Sequence, residues 1–286
     1  MNSVPHPCAM AALHAERPGR ILLVAAHPDD ETIGLGATLG SLIAAGWRAH
    51  VLHVTDGAPH DPKLRFALQH RSREEASAIR RVELENALRA GGVEPDGVLL
   101  PSMGIADQEA SLAMPAIARA LAEQITTLGA NVVITHPYEG GHPDHDATAL
   151  AVHGAAALLA AQKAAPTLAE MSSYHTREGS LITATFRTDA PLRGPAPPVR
   201  CTEARGGELD DGARARKRRM LDAFTTQVEI LRPFGTDAEP LRCAPRYDFS
   251  RPPHAGPLHY ESLPFDWTGA RWRELARRAI AELGLV

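Results

Sequence analysis

The sequence predicts a Rossmann-like, doubly wound α/β fold: a mostly parallel sheet, helices on both faces, and an irregular C-terminal extension. Three observations lead there. Short continuous apolar runs such as Ile21–Ala26 read as strands buried on both faces. These runs alternate four times with helix-compatible stretches, the pattern of right-handed βαβ crossovers. Two segments dense in His, Asp and Glu follow the first and fourth of these strands, at the carboxyl ends where open α/β sheets hold their ligands.

Taken in order, Ile21–Ala26 is the first strand, and a helix from about Leu35 to Ala45 follows, stopped by Gly46. His50–Val54 is the second strand. A long, charged, Ala-rich helix is expected from about Leu64 to Ala90, ending at Gly91-Gly92. Gly97–Leu100 is the third strand, with a helix near Leu112–Leu128; Asn131–Thr135 is the fourth, with a helix over Asp146–Gln162. Pro191–Gly212 reads as a long loop, Ala213–Leu231 as helix, Arg232–Pro264 as irregular chain, and Trp272–Leu283 as a terminal amphipathic helix. The expected organisation is a tail over 1–19, a catalytic core over 20–190, and an extension over 191–286 packed on the core as part of a single domain.

Bulk properties narrow the function. The 286 residues are 44% hydrophobic and 22% charged, ordinary for a globular chain, and the net charge of −4 argues against a nucleic-acid surface. The basic run Arg214–Arg219 reads as a solvated helix face. Cys8, Cys201 and Cys243 are far apart and form no CxxC pair, so neither a disulfide framework nor a thiolate metal site is expected. No secretory signal opens the chain and no run approaches a membrane span, so a cytoplasmic protein is expected.

The chemistry concentrates in Ala26-His27-Pro28-Asp29-Asp30-Glu31 and in His136-Pro137-Tyr138-Glu139-Gly140-Gly141-His142-Pro143-Asp144-His145-Asp146. A single histidine is commonly a surface residue, and an aspartate before a helix is commonly a cap. Two dense clusters at matching topological positions call for more. A catalytic zinc takes three His, Asp or Glu ligands and keeps one position open. His27 and Asp30 can supply two from one turn and His145 the third; iron(II) accepts the same donor types. Pro28 and Pro143 stiffen the two turns. Asp29 sits beside a ligand without needing to be one, and so is available as a general base.

The pair His-Pro-Asp-Asp-Glu (27–31) and Gly-Gly-His-Pro-Asp-His (140–145) resembles the signatures of the PIG-L/LmbE-like zinc deacetylases. Weaker likeness extends over about residues 20–165, through Thr55-Asp56-Gly57, Arg80-x-x-Glu83-Leu84 and Gly104-Ile105-Ala106-Asp107. The resemblance implies a zinc-dependent hydrolase that removes an N-acetyl or N-acyl group from an amino sugar or related amine. It implies that His27, Asp30 and His145 bind the metal, that Asp29 is the base, and that His142, protonated, stabilises the oxyanion or acts as acid. It further implies that Arg80 and Asp107 contact a small N-acylated substrate. Either Asp29 or His142 then protonates the leaving amine. Some members use a tyrosine near the second signature; here Gly140 and Gly141 precede His142, and Tyr138 comes earlier.

Two other readings were weighed. Gly34, Gly36 and Gly40 with Asp56 imitate a dinucleotide-binding fingerprint, but the first glycine comes too late after the strand and the spacing is one residue too long. A non-catalytic, metal-containing carbohydrate-binding protein would have no need of Asp29.

Overall fold

The computed structural model describes residues 18–187, 189–193, 207–264 and 266–285. The expected tail up to residue 17, Cys8, Cys201 and the centre of the expected 191–212 loop lie outside the described residues.

The central sheet has the order β2 (Arg48–His53), β1 (Arg20–Ala25), β5 (Val132–Thr135), β6 (Thr167–Met171) and β9 (Leu241–Cys243). Strand β1 (Arg20–Ala25) lies between β2 (Arg48–His53) and β5 (Val132–Thr135), parallel to both, and β6 (Thr167–Met171) extends the parallel set. The chain winds outward from β1 on one side and from β5 on the other, so the switch point falls between them. That is where the two polar clusters emerge.

Alternation along β1 sorts its side chains onto two cores. Leu22 and Val24 face a cluster with Leu121, Leu150 and Trp272, while Ile21, Leu23 and Ala25 face Leu35, Leu39, Leu84 and Met220. The first cluster is covered by α3 (Met114–Leu128), α4 (Pro143–Ala161) and the C-terminal α7 (Gly269–Glu282); the second by α1 (Asp30–Ala44), α2 (Arg73–Ala90) and α5 (Asp211–Asp222). Residues beyond 210 therefore belong to both cores.

Several elements differ from expectation for identifiable reasons. Helix α1 starts at Asp30, five residues early, within the first polar cluster. The expected helix over 64–90 is divided: a 3-10 segment spans Pro62–Leu68, and α2 begins afresh where Ser72 and Glu75 form a capping box. The expected strand at 97–100 lies beside β2 but makes only the single parallel bridge Val51↔Leu99, because the chain is still turning out of Pro95, whose carbonyl accepts from the Val98 and Leu99 amides. Lys217, within the basic run read as solvated, is buried and donates to the Ile33 carbonyl, with Glu239 at 3.2 Å.

The second half holds strands the apolar pattern does not announce. Strand β6 carries Glu170 and β9 (Leu241–Cys243) carries Arg242, and the two pair antiparallel with the carboxylate 2.8 Å from the guanidinium Nε. Strands β3 (Thr55–Pro59) and β4 (Ile105–Asp107) pair parallel, and β7 (Tyr174–Arg177) and β8 (Ser180–Thr183) form a hairpin. The glycines that imitate a dinucleotide fingerprint sit within α1. A Cβ at Gly34 would strike Met171, one at Gly36 would press on Met220, and one at Gly40 on the Gly91 carbonyl. Their small size serves helix packing rather than a phosphate. Among the described residues, no helix is long and apolar enough to cross a membrane.

Candidate active site

The first cluster leaves β1 and turns at once into α1. The amides of Asp29 and Asp30 donate to the His27 carbonyl, and Asp30 Oδ2 accepts from the His27 amide at 2.8 Å. This tight turn puts His27, Asp29 and Asp30 at the sheet's carboxyl edge, each less than a tenth exposed. The second cluster leaves β5 and enters α4, with His142 as the residue before the helix and Pro143 in its first turn. Asp146 Oδ1 closes the preceding loop by accepting from the amides of Glu139 and Gly140. Gly141 is required there: a Cβ would come closer than 3.0 Å to the Tyr174 carbonyl oxygen of β7.

The two loops meet. His27, His142 and His145 offer ring nitrogens all within 4.8 Å of one another, and the same holds for the donor atoms of Asp30, His136 and His145. The trio expected as ligands is thus spread over two overlapping groups, with His145 common to both. Asp30 links them, its Oδ2 lying 3.1 Å from His27 Nδ1 and its Oδ1 3.2 Å from His145 Nε2. A third group joins His27 and His142 to Asp107 and Asp144.

The donor set suits a divalent cation. Burial works against a charge on His27, yet Asp107, Asp144 and Asp30 around the ring raise its pKa well above the ordinary value, so a positive charge is wanted there. His145 Nε2 is buried and makes no hydrogen bond, although Asp30 lies in front of it, and burial pushes its pKa down to about 3. Ser173 Oγ holds the other ring nitrogen of His145 at 3.1 Å, the kind of outer contact that orients an imidazole ligand. Burial also disfavours charge on Asp30, but His145 and His136 hold its carboxyl well below the usual range.

Asp29 stands apart from this set. Burial pushes its pKa up to about 6, against the pull of Arg80, whose Nη2 donates to Asp29 Oδ2 and to the Pro28 carbonyl, both at 2.7 Å. Burial, with His27 adding, drives His142 down to about 3. Its Nδ1 accepts from the Asp144 amide at 3.2 Å, which leaves the proton on Nε2. Asp107 is 3.1 Å from His27 Nε2 and 3.9 Å from His142 Nε2, and it is held down to about 2 by His27 once burial's opposing effect is overcome.

Three contributors escaped the sequence reading. Asp144, completely buried, accepts from the amides of Gln108 and Ala110 and approaches His27 Nε2 at 3.2 Å, fixing the Asp107 loop against the second cluster. His136 stacks on His145 at 4.0 Å and accepts from the Ala26 amide. Both stood in the flagged segment, where cap-like aspartates and extra histidines are easily passed over. Tyr174 lies edge-on to His145 at 5.1 Å and comes from the β7–β8 hairpin, in Ser172-Ser173-Tyr174-His175, a stretch of fading family resemblance. Tyr138 instead points into the core, stacked on Trp272, its hydroxyl donating to the Arg251 carbonyl.

A family model described as PIG-L, GlcNAc-PI de-N-acetylase, matches residues 22–156, from β1 into α4. A 1D-myo-inositol 2-acetamido-2-deoxy-alpha-D-glucopyranoside deacetylase of Streptomyces griseus subsp. griseus is 33% identical over 252 residues, 75% of this chain and 77% of that protein. The like-named deacetylase of Catenulispora acidiphila is 34% identical over 147 residues, and there the match spans 44% of each protein, less than half the relative's length. The 2'-N-acetylparomamine deacetylase of Streptomyces fradiae is 33% identical over 49% of this chain and 51% of its own. In fold, the chain resembles the A40926 pseudoaglycone deacetylase (TM-score 0.55, 23% identity, 80% of this chain and 98% of that one). It also resembles the N,N'-diacetylchitobiose deacetylase of Pyrococcus horikoshii (TM-score 0.52, 19% identity, 79% and 84%). With one relative aligned across three quarters of both proteins and the family model running through both polar clusters, the chain belongs to the PIG-L, GlcNAc-PI de-N-acetylase, family.

Proposed function

We propose that this chain is a metal-dependent amide hydrolase that removes the N-acyl group of an amino sugar or a related small amine. The observation that carries the reading is the meeting of the two loops: an imidazole–carboxylate cluster suited to a cation, with a second carboxylate, Asp29, held beside it by Arg80. On this reading His27, Asp30 and His145 hold zinc, or iron(II) in its place. The bound ion supplies Lewis acidity, lowering the pKa of a water to roughly 7 and polarising the amide carbonyl.

The remaining work falls to the chain. Asp29, with a pKa near 6, is ionised at neutral pH and basic enough to take the proton of the attacking water. Arg80 keeps that carboxylate aimed, and its guanidinium borders the cavity in which a substrate would lie. His142 offers its Nε2–H to the developing oxyanion as a neutral donor. A ring pushed down to about 3 has no second proton to give, so Asp29 returns the proton it took to the leaving amine. Asp107, partly exposed between His27 and His142, accepts from a substrate hydroxyl or amide N–H. Residues 20–190 form the catalytic core, and the extension over 191–286 completes it as one domain.

Metal content, with free amine and acetate released from a panel of N-acetylated amino sugars, tests the proposal. Amine release that chelation abolishes and zinc restores supports it. A metal-loaded protein that binds such sugars but cleaves none would leave only a carbohydrate-binding role.

A further inference from the structure

We infer that the site continues into an apolar subsite that takes an aliphatic chain carried by the amide substrate, an inference that rests on the hydrolase reading above. A cavity of about 350 Å³ is lined in part by His27, Asp29, Asp107 and His142. Its walls beyond them are Leu64, Phe66, Leu181, Ile230, Phe234 and Leu263, drawn from the 3-10 segment, β8, the short helix α6 (Val228–Leu231) and the C-terminal extension.

Several polar groups in these walls already have protein partners. The Arg65 guanidinium donates to three main-chain carbonyls, those of Pro59, His60 and Arg71. The Gln227 amide donates to Thr226 Oγ1, and His259 Nδ1 is 3.0 Å from Thr176 Oγ1. A sugar hydroxyl laid against the Leu64, Phe66, Leu181, Ile230, Phe234 and Leu263 side chains would lose its water without gaining a partner, whereas a methylene loses nothing there. Burying each CH₂ corresponds to about fourfold in affinity.

Two exposed members of the lining point the same way. Phe66 is 49% exposed and has φ +47°, a backbone region that a bulky residue rarely adopts, and Leu181, in the same lining, is 37% exposed. Two large apolar side chains left exposed in the lining, one held there against backbone preference, gain cover when an aliphatic chain enters the cavity.

The chain has two possible chemical sources, an acyl group longer than acetyl or an alkyl substituent on the amine half, and two substrate series separate them. One runs from N-acetyl- to N-decanoylglucosamine; the other from methyl to octyl N-acetylglucosaminide. For each, kcat/KM is measured on the zinc-loaded protein and Kd by calorimetry on Asp29→Asn. We expect kcat/KM to climb about three- to fourfold per methylene in one series until the cavity is full, and that series names the source. Leu181→Ser and Phe66→Ser, at positions exposed enough to leave folding intact, flatten the climb. If no compound is cleaved but affinity still rises with chain length, the subsite stands and the hydrolase reading falls. Turnover and affinity both indifferent to chain length in both series overturn the subsite.

Discussion

Gly141→Ala probes how the fold sets the site. Gly141 has no positive φ, so alanine can take the same backbone conformation, and the whole effect comes from the added methyl group. That methyl would sit closer than 3.0 Å to the carbonyl oxygen of Tyr174, a main-chain atom that cannot swing aside. The loop bearing His142 and His145 must then part from β7, which carries Tyr174 against the His145 ring. Overpacking of this kind costs about 1–3 kcal/mol, a melting temperature lower by several degrees at this chain length. The separation required is about 1 Å, and a misplacement of that size lowers turnover by ~10²-fold. Thermal unfolding and kcat on a soluble N-acylated amino sugar, with zinc content measured alongside, read both effects. A variant with parental turnover would show that the spacing between the His142 loop and β7 is not what holds the catalytic geometry, and the reasoning would fail.

Other outcomes follow from individual groups. Asp29→Asn should keep its metal and lose ~10²–10⁴-fold in kcat, while His145→Ala should lose the metal itself; elemental analysis beside the activity assay separates a base from a ligand, and full metal content in His145→Ala removes that residue from the set. His153 on α4 has Tyr247 and Phe249 as ring neighbours, its Nε2 makes no hydrogen bond, and burial alone lowers its pKa from 6.5 to about 4. The unfolded chain takes up this proton below about pH 6.5 and the native state does so only near 4. Stability is therefore lost as pH falls through that window, by at most ~3 kcal/mol because the residue keeps some exposure. Urea midpoints at pH 7.5 and 5 should fall less for His153→Leu than for the parent, and equal falls would rule the histidine out.

Much of the site was legible because its signal is local. The apolar runs of β1 and β5, each followed by a His- and Asp-rich turn, locate the chemistry at two strand ends with no tertiary information. The elements that were not legible depend on distant partners. Glu170 interrupts the apolar pattern of β6, and only the pairing with Arg242, seventy-two positions on, makes it a strand residue. The capping box at Ser72 and Glu75 was visible, yet the helical composition of 64–90 ran over it.

By itself the sequence determined the strand and helix alternation and which two loops carry the donors, since these follow from periodicity and spacing. Only the tertiary structure decided that Asp144 ties the Asp107 loop to His27, and that Tyr138 belongs to the core while Tyr174 faces the cluster. Burial, and the direction in which a side chain leaves the backbone, depend on what packs from the other side, and no residue carries that information alone.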